Sequence, residues 1–300
     1  MNGLILVDKS RGMSSAAVVG ITRRRLRLDR VGHAGTLDPF ATGLLVLLVG
    51  RATRLAGYAV AGKKVYSAEI IFGTETDTDD STGEAIGGSG QQPDIELVRK
   101  AALAFQGTIY QEPPQFSAKK VEGRRAYAIA RGGARVALDA VPVTIDSFSL
   151  WCEVGEGGIP RYFFRVACSK GTYIRSLARD LGRAMGCGAH LASLRREGSI
   201  PFSVEEATVL EGIGPNSVIR WDRLFPDAHS CILSEGEVAG IERGLERSMK
   251  DVISRLNEET DHHQEHAVGL THDGAPHAFF VRSDHEWRFV VCAPGEWGRG

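Results

Sequence analysis

Apolar and polar positions change rhythm several times along the chain, and each change predicts an element. The opening GLILV, residues 3 to 7, reads as a strand. Leu44 to Val49, in LLVLLVG, is short, apolar and bounded by glycine, the mark of a buried strand, although periodicity alone leaves a helix open. Between them, Ser14 or Ser15 caps a helix through AAVVGITRRRLRL, whose arginines crowd the C-terminal end, where the helix dipole favours cations. VYSAEIIFG, residues 65 to 73, is another strand, and the polar TETDTDDSTGE after it is a loop. DIELVRKAALAFQG carries apolar residues at helical spacing, whereas Pro113 and Pro114 keep QEPPQFSAKK irregular. VTIDSFSLWCEV and YFFRVACS read as strands. The second runs into KGTYIRSLARDLGRAMG, where the period shifts from two to 3.6. Ile174, Leu177, Ala178, Leu181 and Met185 share one helical face there and Arg175, Arg179 and Arg183 another, with Tyr173 and Arg175 at the change from strand to helix. Strands and helices mix without a βαβ rhythm, so the pattern predicts an α+β fold and not a doubly wound sheet.

Composition adds limits. Three hundred residues suffice for one large domain and a smaller one. The N-terminus lacks the features of a signal peptide, and no apolar run reaches membrane-spanning length. Five cysteines, odd in number and never in a CxxC pair, read as reduced cytoplasmic thiols. The net charge of -1 hides an asymmetry: residues 1–227 carry +5 and residues 228–300 carry -6. Basic residues cluster at Arg23, Arg24, Arg25, Arg27 and Arg30, at Lys119, Lys120, Arg124, Arg125, Arg131 and Arg135, and at Lys170, Arg175, Arg179, Arg183, Arg195 and Arg196. Such clusters neutralise phosphates, and they are equally the pattern of solvated helix faces, so charge alone leaves both readings open.

The segment GHAGTLDPFATG, residues 32 to 43, sets one carboxylate, Asp38, among glycines, hydroxyl residues and a proline. Gly32, Gly35 and Gly43 let the backbone bend close to a partner and Pro39 stiffens the next position, an arrangement suited to chemistry, while Asp-Pro also serves simply to start turns. Two metal patterns fail. The loop with Asp77, Asp79 and Asp80 has Thr82 and Gly88 where a calcium loop needs glycine and glutamate. His262 to His266, HHQEH, matches one class of zinc peptidase, but it sits in the polar run EETDHHQEH, with nothing apolar to pack a zinc helix, and reads as a surface segment. Phosphate-binding and dinucleotide fingerprints are absent.

Five separated motifs together carry a family resemblance: GHAGTLDPFATG with LLVLLVGRATRL, KVYSAEIIFGTETDTDDSTGE, QEPPQFSAKKVEGRRAYAIAR, KGTYIRSLARDLG and LASLRR. In this order, over roughly residues 3 to 200, they resemble the TruB-type tRNA pseudouridine synthases. DKSRGMSS around Lys9 is similar to that family's KPxGxTS, with Ser10 in place of the proline and Ser14 of the threonine.

The resemblance implies a pseudouridine-synthase-type α+β fold. Its mixed, largely antiparallel sheet would be flanked by helices, with an RNA-gripping insertion at about 111–135. The catalytic domain would span 1–227, followed by a small β-rich PUA-like domain over 228–300, divergent here in its acidity and in holding seven of the nine histidines. It implies an isomerase acting on the T-loop uridine, position 55, of tRNA, cytoplasmic, monomeric, without metal, membrane or cofactor. Asp38 would be the nucleophile, attacking either ribose or uracil ring, with Arg175 paired to it by opposite charge. Tyr66, a strand-face aromatic by pattern alone, would stack on the target base and help remove the proton at carbon 5. His33 would help open the RNA loop. Tyr173 and Leu194, the latter an ordinary helix-core leucine by pattern, would line the uracil pocket, with Lys9 also on the substrate. Lys119, Lys120, Arg124 and Arg125 would meet phosphates. A catalytically silent RNA-binding protein on the same fold and a zinc hydrolase are the competing readings.

Overall fold

A computed structural model describes residues 1–117, 119–121, 124–125, 127, 129 and 137–294. The chain begins with β1 (Gly3–Lys9), α1 (Ser15–Arg25), β2 (Val31–His33), β3 (Thr42–Val49), α2 (Ala56–Ala61) and β4 (Lys64–Phe72). It continues through β5 (Glu75–Thr76), β6 (Ala85–Gly87), α3 (Ile95–Ala102), β7 (Gly107–Gln111), β8 (Lys120–Val121) and β9 (Arg124–Arg125). Then come β10 (Val141–Val154), β11 (Pro160–Cys168), α4 (Ile174–Ala184), β12 (Ala189–Ser199), β13 (Phe202–Ser203) and β14 (Thr208–Val209). The last elements are β15 (His229–Ile232), α5 (Glu235–Glu242), α6 (Glu246–Glu259), β16 (His266–Leu270), β17 (Pro276–Ser283) and β18 (Glu286–Cys292). They fall into two units: Met1–Pro39, Gly43–Ala61 and the chain from Pro201 on form the first, and Phe40–Thr42 with Gly62–Ile200 the second. The α+β expectation holds, with mostly antiparallel pairing.

In the first unit the apolar run Leu44–Val49 is a strand, resolving the helix alternative: β3 pairs antiparallel with β1 over its whole length, Leu4 opposite Leu48 and Val7 opposite Leu45. β2 lies on the other side of β3 and β14 runs parallel to β1. Leu4, Leu6, Leu44, Val46 and Leu48 point into one core with Trp221, Val268, Phe279 and Val291, so the C-terminal strands β16–β18 share the core of the first strands. β15 to β18 form a four-stranded sheet, under which α5 and α6 bury Ile241, Val252 and Leu256. α1 starts where its serines predict: the Ser14 hydroxyl accepts from the Ala17 amide at 3.1 Å, leaving Ser15 as the first helical residue.

In the second unit the strand order is β12-β4-β11-β10-β7, antiparallel throughout. Lys64, Tyr66, Ala68, Ile70 and Phe72 alternate onto the buried face of β4. Asp94 caps α3 through the amides of Glu96 and Leu97. LASLRR departs from its pattern: Leu194 lies on strand β12, not on a helix. Leu191 and Leu194 are three apart because the register slips between Leu191 and Ser193, and this bulge at Ala192 turns both leucines to the buried side. The polar loop after β4 also holds more structure than predicted, since β5 and β6 close it as a short ribbon.

Candidate active site

The loop around Asp38 is clamped on both sides of that residue. Before it, Leu37 donates its amide to Ser15 Oγ at 2.8 Å and accepts the Ser15 hydroxyl at 3.1 Å. After it, the Pro39 carbonyl accepts from the Gly12 amide at 2.7 Å and from Lys9 Nζ at 3.4 Å. Asp38 itself is half-buried. Gly35 and Gly43 hold φ of 88° and 99°, the left-handed region, and make the turn possible. Gly32 does not contribute as predicted: it sits in β2, and an added Cβ would lie 3.8 Å from Thr53, an ordinary contact.

Lys9, expected on the substrate, reaches the same loop through the Pro39 carbonyl. It is 1% exposed, and its ammonium also donates to the carbonyls of Ser10 at 3.0 Å and Met13 at 2.8 Å. A buried ammonium needs such acceptors, and the turn after β1 supplies them. Lys9 therefore bears on Asp38 through Pro39, from beneath the loop. His33 closes β2 opposite Leu47 and is half-buried.

In the second unit, Tyr66 is 8% exposed on β4, between Val166 of β11 and Arg196 of β12. Leu194, opposite Ala68, shares its face and is a diagonal neighbour of Tyr66. Tyr173 precedes the first turn of α4, and the side-chain amide of Gln111 grips its backbone from both directions: Tyr173 donates its N–H to Oε1 at 2.8 Å, and its carbonyl accepts from Nε2 at 3.0 Å. Arg175, 5% exposed, donates to the Thr78 carbonyl at 2.8 Å and the Phe116 carbonyl at 2.9 Å, with Nε 3.8 Å from Asp80 Oδ2.

Arg175 is the first rung of a ladder. Arg179 meets Asp79 at 3.1 Å and Asp180 at 2.9 Å, and Arg183 takes both oxygens of Glu75 at 3.0 Å. Asp79 and Asp80 lie in the segment that failed as a calcium loop, and Glu75 just before it. The Arg183 hydrogen bonds hold the Glu75 carboxyl below its usual range. Burial pushes Asp79 up to about 6, against the pull of Arg179 and Arg175. Asp80 is served by Thr78 Oγ1 at 3.0 Å and by the Thr82 amide at 2.9 Å and hydroxyl at 2.6 Å. Half of the third basic cluster is thus built into the interior: Arg175, Arg179 and Arg196 are buried.

The insertion is described only in part. Lys119 Nζ donates to the Asp139 carbonyl at 2.7 Å. Lys120 and Arg125 pair across β8 and β9 through their backbones. Arg131 and Arg135 lie outside the described residues.

In the HHQEH stretch, His262 and His263 are exposed in a turn after α6, off any helix, while His266 begins β16 and stacks on Phe279 at 5.7 Å. The HHQEH stretch thus spans a turn and the start of a strand, and among the described residues no three ligand-type side chains converge for a metal. No described helix is long and apolar enough to cross a membrane.

Ser15 and Gln111 escaped the sequence reading. Ser15 was visible only as a possible cap, and a strand-ending glutamine carries no signal at all.

Known proteins fit this arrangement. Residues 23–174 match the model of the TruB family pseudouridylate synthase N-terminal domain, and residues 175–216 that of the tRNA pseudouridylate synthase B C-terminal domain. The chain is 45% identical over 213 residues to tRNA pseudouridine synthase B of Roseobacter denitrificans, covering 71% of this chain and 69% of that one. It is 44% identical over 258 residues to the protein of the same name from Corynebacterium efficiens, covering 84% and 87%. Among solved structures, a Cbf5-Nop10-Gar1 complex contains a chain with TM-score 0.64 at 21% identity, covering 98% of this chain and 83% of that chain, a likeness of fold.

Proposed function

The chain belongs to the TruB family of pseudouridine synthases, and on that premise we propose how its residues carry the reaction. It is an enzyme that isomerises uridine to pseudouridine in tRNA. We assign its target to the T-loop uridine, position 55, and its nucleophile to Asp38. The observation that carries the assignment is the double clamp: Ser15 on Leu37, and Gly12 with Lys9 on Pro39, hold one half-buried carboxylate in a fixed place. Prepaid orientation of this kind is a large part of what a covalent catalyst needs.

The reaction breaks the N1–C1′ glycosidic bond, turns the uracil and joins C5 to C1′. The proton leaving C5 is balanced by one gained at N1, so no oxidant or cofactor enters. In the proposed roles, Asp38 forms a transient covalent bond to the ribose or the uracil ring that breaks again to return the free carboxylate as the product is completed, and Tyr66 stacks on the base and assists loss of the C5 proton. Arg175 supplies the charge opposite Asp38, Tyr173 and Leu194 shape the uracil pocket, and His33 meets the opened loop. The base must leave its stack to be reached, and the insertion with Lys119 and Lys120 offsets part of that cost through phosphate contacts. We further propose a catalytic domain over 1–227, a PUA-like domain over 228–300, a monomer, and the cytoplasm as its compartment.

Incubation with unmodified tRNA followed by pseudouridine mapping tests the reading: product is expected at the T-loop uridine. Asp38→Asn is expected to bind tRNA within a few-fold of the parent and to yield no product. Product from that variant, or its absence from the parent, refutes the assignment.

A further inference from the structure

The basic cluster in and just after the last turn of α1 is presented to solvent. Arg23, Arg24, Arg25, Arg27 and Arg30 are all exposed. Arg25 donates to the Leu210 carbonyl at 2.6 Å. Among the described residues Arg23, Arg24, Arg27 and Arg30 form no ion pair, although Asp29 lies within the cluster and Glu211 lines the same shallow groove as Arg24 and Arg25. The dipole of α1 favours cations in its last turn, but its effect fades within that turn and leaves Arg27 and Arg30 unexplained.

Arg27 supplies an independent observation. The helix ends in a tight turn, with Arg27 N–H to the Arg24 carbonyl at 3.2 Å and Leu28 N–H to the Arg23 carbonyl at 2.9 Å, and Arg27 takes φ of 52°. Glycine fills such a position without strain. A long side chain in the left-handed region, exposed and without an ion-pair partner among the described residues, points to a use for its charge.

The position of the cluster says what it meets. α1 starts at Ser15, the residue that clasps Leu37 beside Asp38. At 1.5 Å per residue, Arg23 to Arg25 lie about 12–15 Å along the helix from that clasp, about four nucleotide steps of 3.4 Å. We propose that the arginines at the end of α1 grip the phosphate backbone of the base-paired stem adjoining the target loop, so that the stem is held by α1 while the loop base is delivered to Asp38. The proposal rests on the tRNA reading above.

Full-length protein carrying Arg23→Ala, Arg24→Ala and Arg27→Ala tests it, with three probes: a tRNA transcript, the isolated T-arm stem-loop, and the loop sequence as a single strand. Affinity for the first two is expected to fall about 10–100-fold, and the log–log salt slope to flatten by about two to three, one unit per phosphate contact. Affinity for the single strand and turnover at saturating tRNA are expected to stay within about twofold. Arg27→Gly alone is expected to weaken stem-loop binding several-fold without lowering the melting temperature, whereas a purely structural arginine would lower it and leave binding intact. Unchanged stem-loop affinity and salt slope overturn the proposal. So does a loss confined to full-length tRNA, which would put the contact elsewhere on that molecule, or an equal loss on the single strand. Parent protein that makes no pseudouridine fails the tRNA reading itself, which the parent's turnover reports separately.

Discussion

At the scale of single residues, much of the proposed chemistry is prepared by side chains that need not touch the substrate. Ser15 is buried and satisfies both backbone groups of Leu37. Ser15→Ala leaves a buried amide without its acceptor, which costs about 1–3 kcal/mol, and frees the loop beside Asp38. A shift of about 1 Å in a reacting group can lower a rate roughly 100-fold, so kcat is expected to drop at least tenfold while KM for tRNA stays within about threefold. Steady-state kinetics check this, and a variant within twofold of the parent kcat removes the clamp from the account. Asp79 makes a prediction on pH. Its folded carboxyl titrates at about 6 because it is buried, against an ordinary value of 3.8. Between about pH 4 and 6 the folded protein keeps a proton that the unfolded chain has lost, so this residue's contribution to stability falls as pH rises through that window and is level above it. Relative to Asp79→Asn, the parent is expected to lose about 1–3 kcal/mol across that range. Denaturant unfolding at several pH values measures it, and a constant difference from pH 4 to 7 contradicts the burial effect.

At the scale of elements, the face of α4 that repeats every four residues was legible, but its meaning was not. By charge, Arg175, Arg179 and Arg183 fit either a surface for phosphates or a solvated helix face, and two of the three are buried against the acidic loop that follows β4. Period reveals which residues share a face and is silent on what covers it; that cover comes from about a hundred residues earlier in the chain. The rungs differ in worth. Arg183 and Glu75 meet where the arginine side chain is 53% exposed, so Arg183→Met is expected to cost less than about 1 kcal/mol. Arg179→Met strands Asp79 in the interior and is expected to cost about 3–5 kcal/mol. Unfolding free energies of the two variants compare them, and equal losses would mean that burial does not set the strength of the ladder. Leu194 shows the other limit of pattern. A bulge at Ala192 gave a strand the three-residue spacing of a helix, and only the pairing partner on β4 reveals the inserted residue. Strands with plain alternation or unbroken apolar runs, such as β4, β11 and β3, were readable because neither face nor period was disturbed.

At the scale of the molecule, the motif order made the family readable, because five spaced motifs constrain one another in a way that a lone Asp-Pro does not. The family resemblance sets the tail apart as a PUA-like domain and its acidity marks it as divergent, but charge describes a surface, not a core. Val268, Phe279 and Val291 of that tail pack with Leu4, Leu44 and Leu48. Phe225 stacks on Phe279 at 4.1 Å, and the Trp221 indole donates to the Ala293 carbonyl at 2.8 Å. Removing the chain after Asp227 therefore strips one wall from the hydrophobic core on which β1 and β3 rest. Those strands lead directly into the residues that clamp Asp38. Losing Phe279 alone as a core contact is worth about 3–5 kcal/mol, a large share of a typical stability of about 5–15 kcal/mol. The truncated protein is expected to lose its cooperative unfolding transition and its activity together, while charge changes at exposed tail residues such as Glu286→Lys leave melting and turnover nearly unchanged. Circular dichroism melting with an activity assay separates the cases. A truncated protein that melts cooperatively near the parent temperature would show that the first strands hold their own core, and the tail would then be a domain in the independent sense that the family resemblance implies.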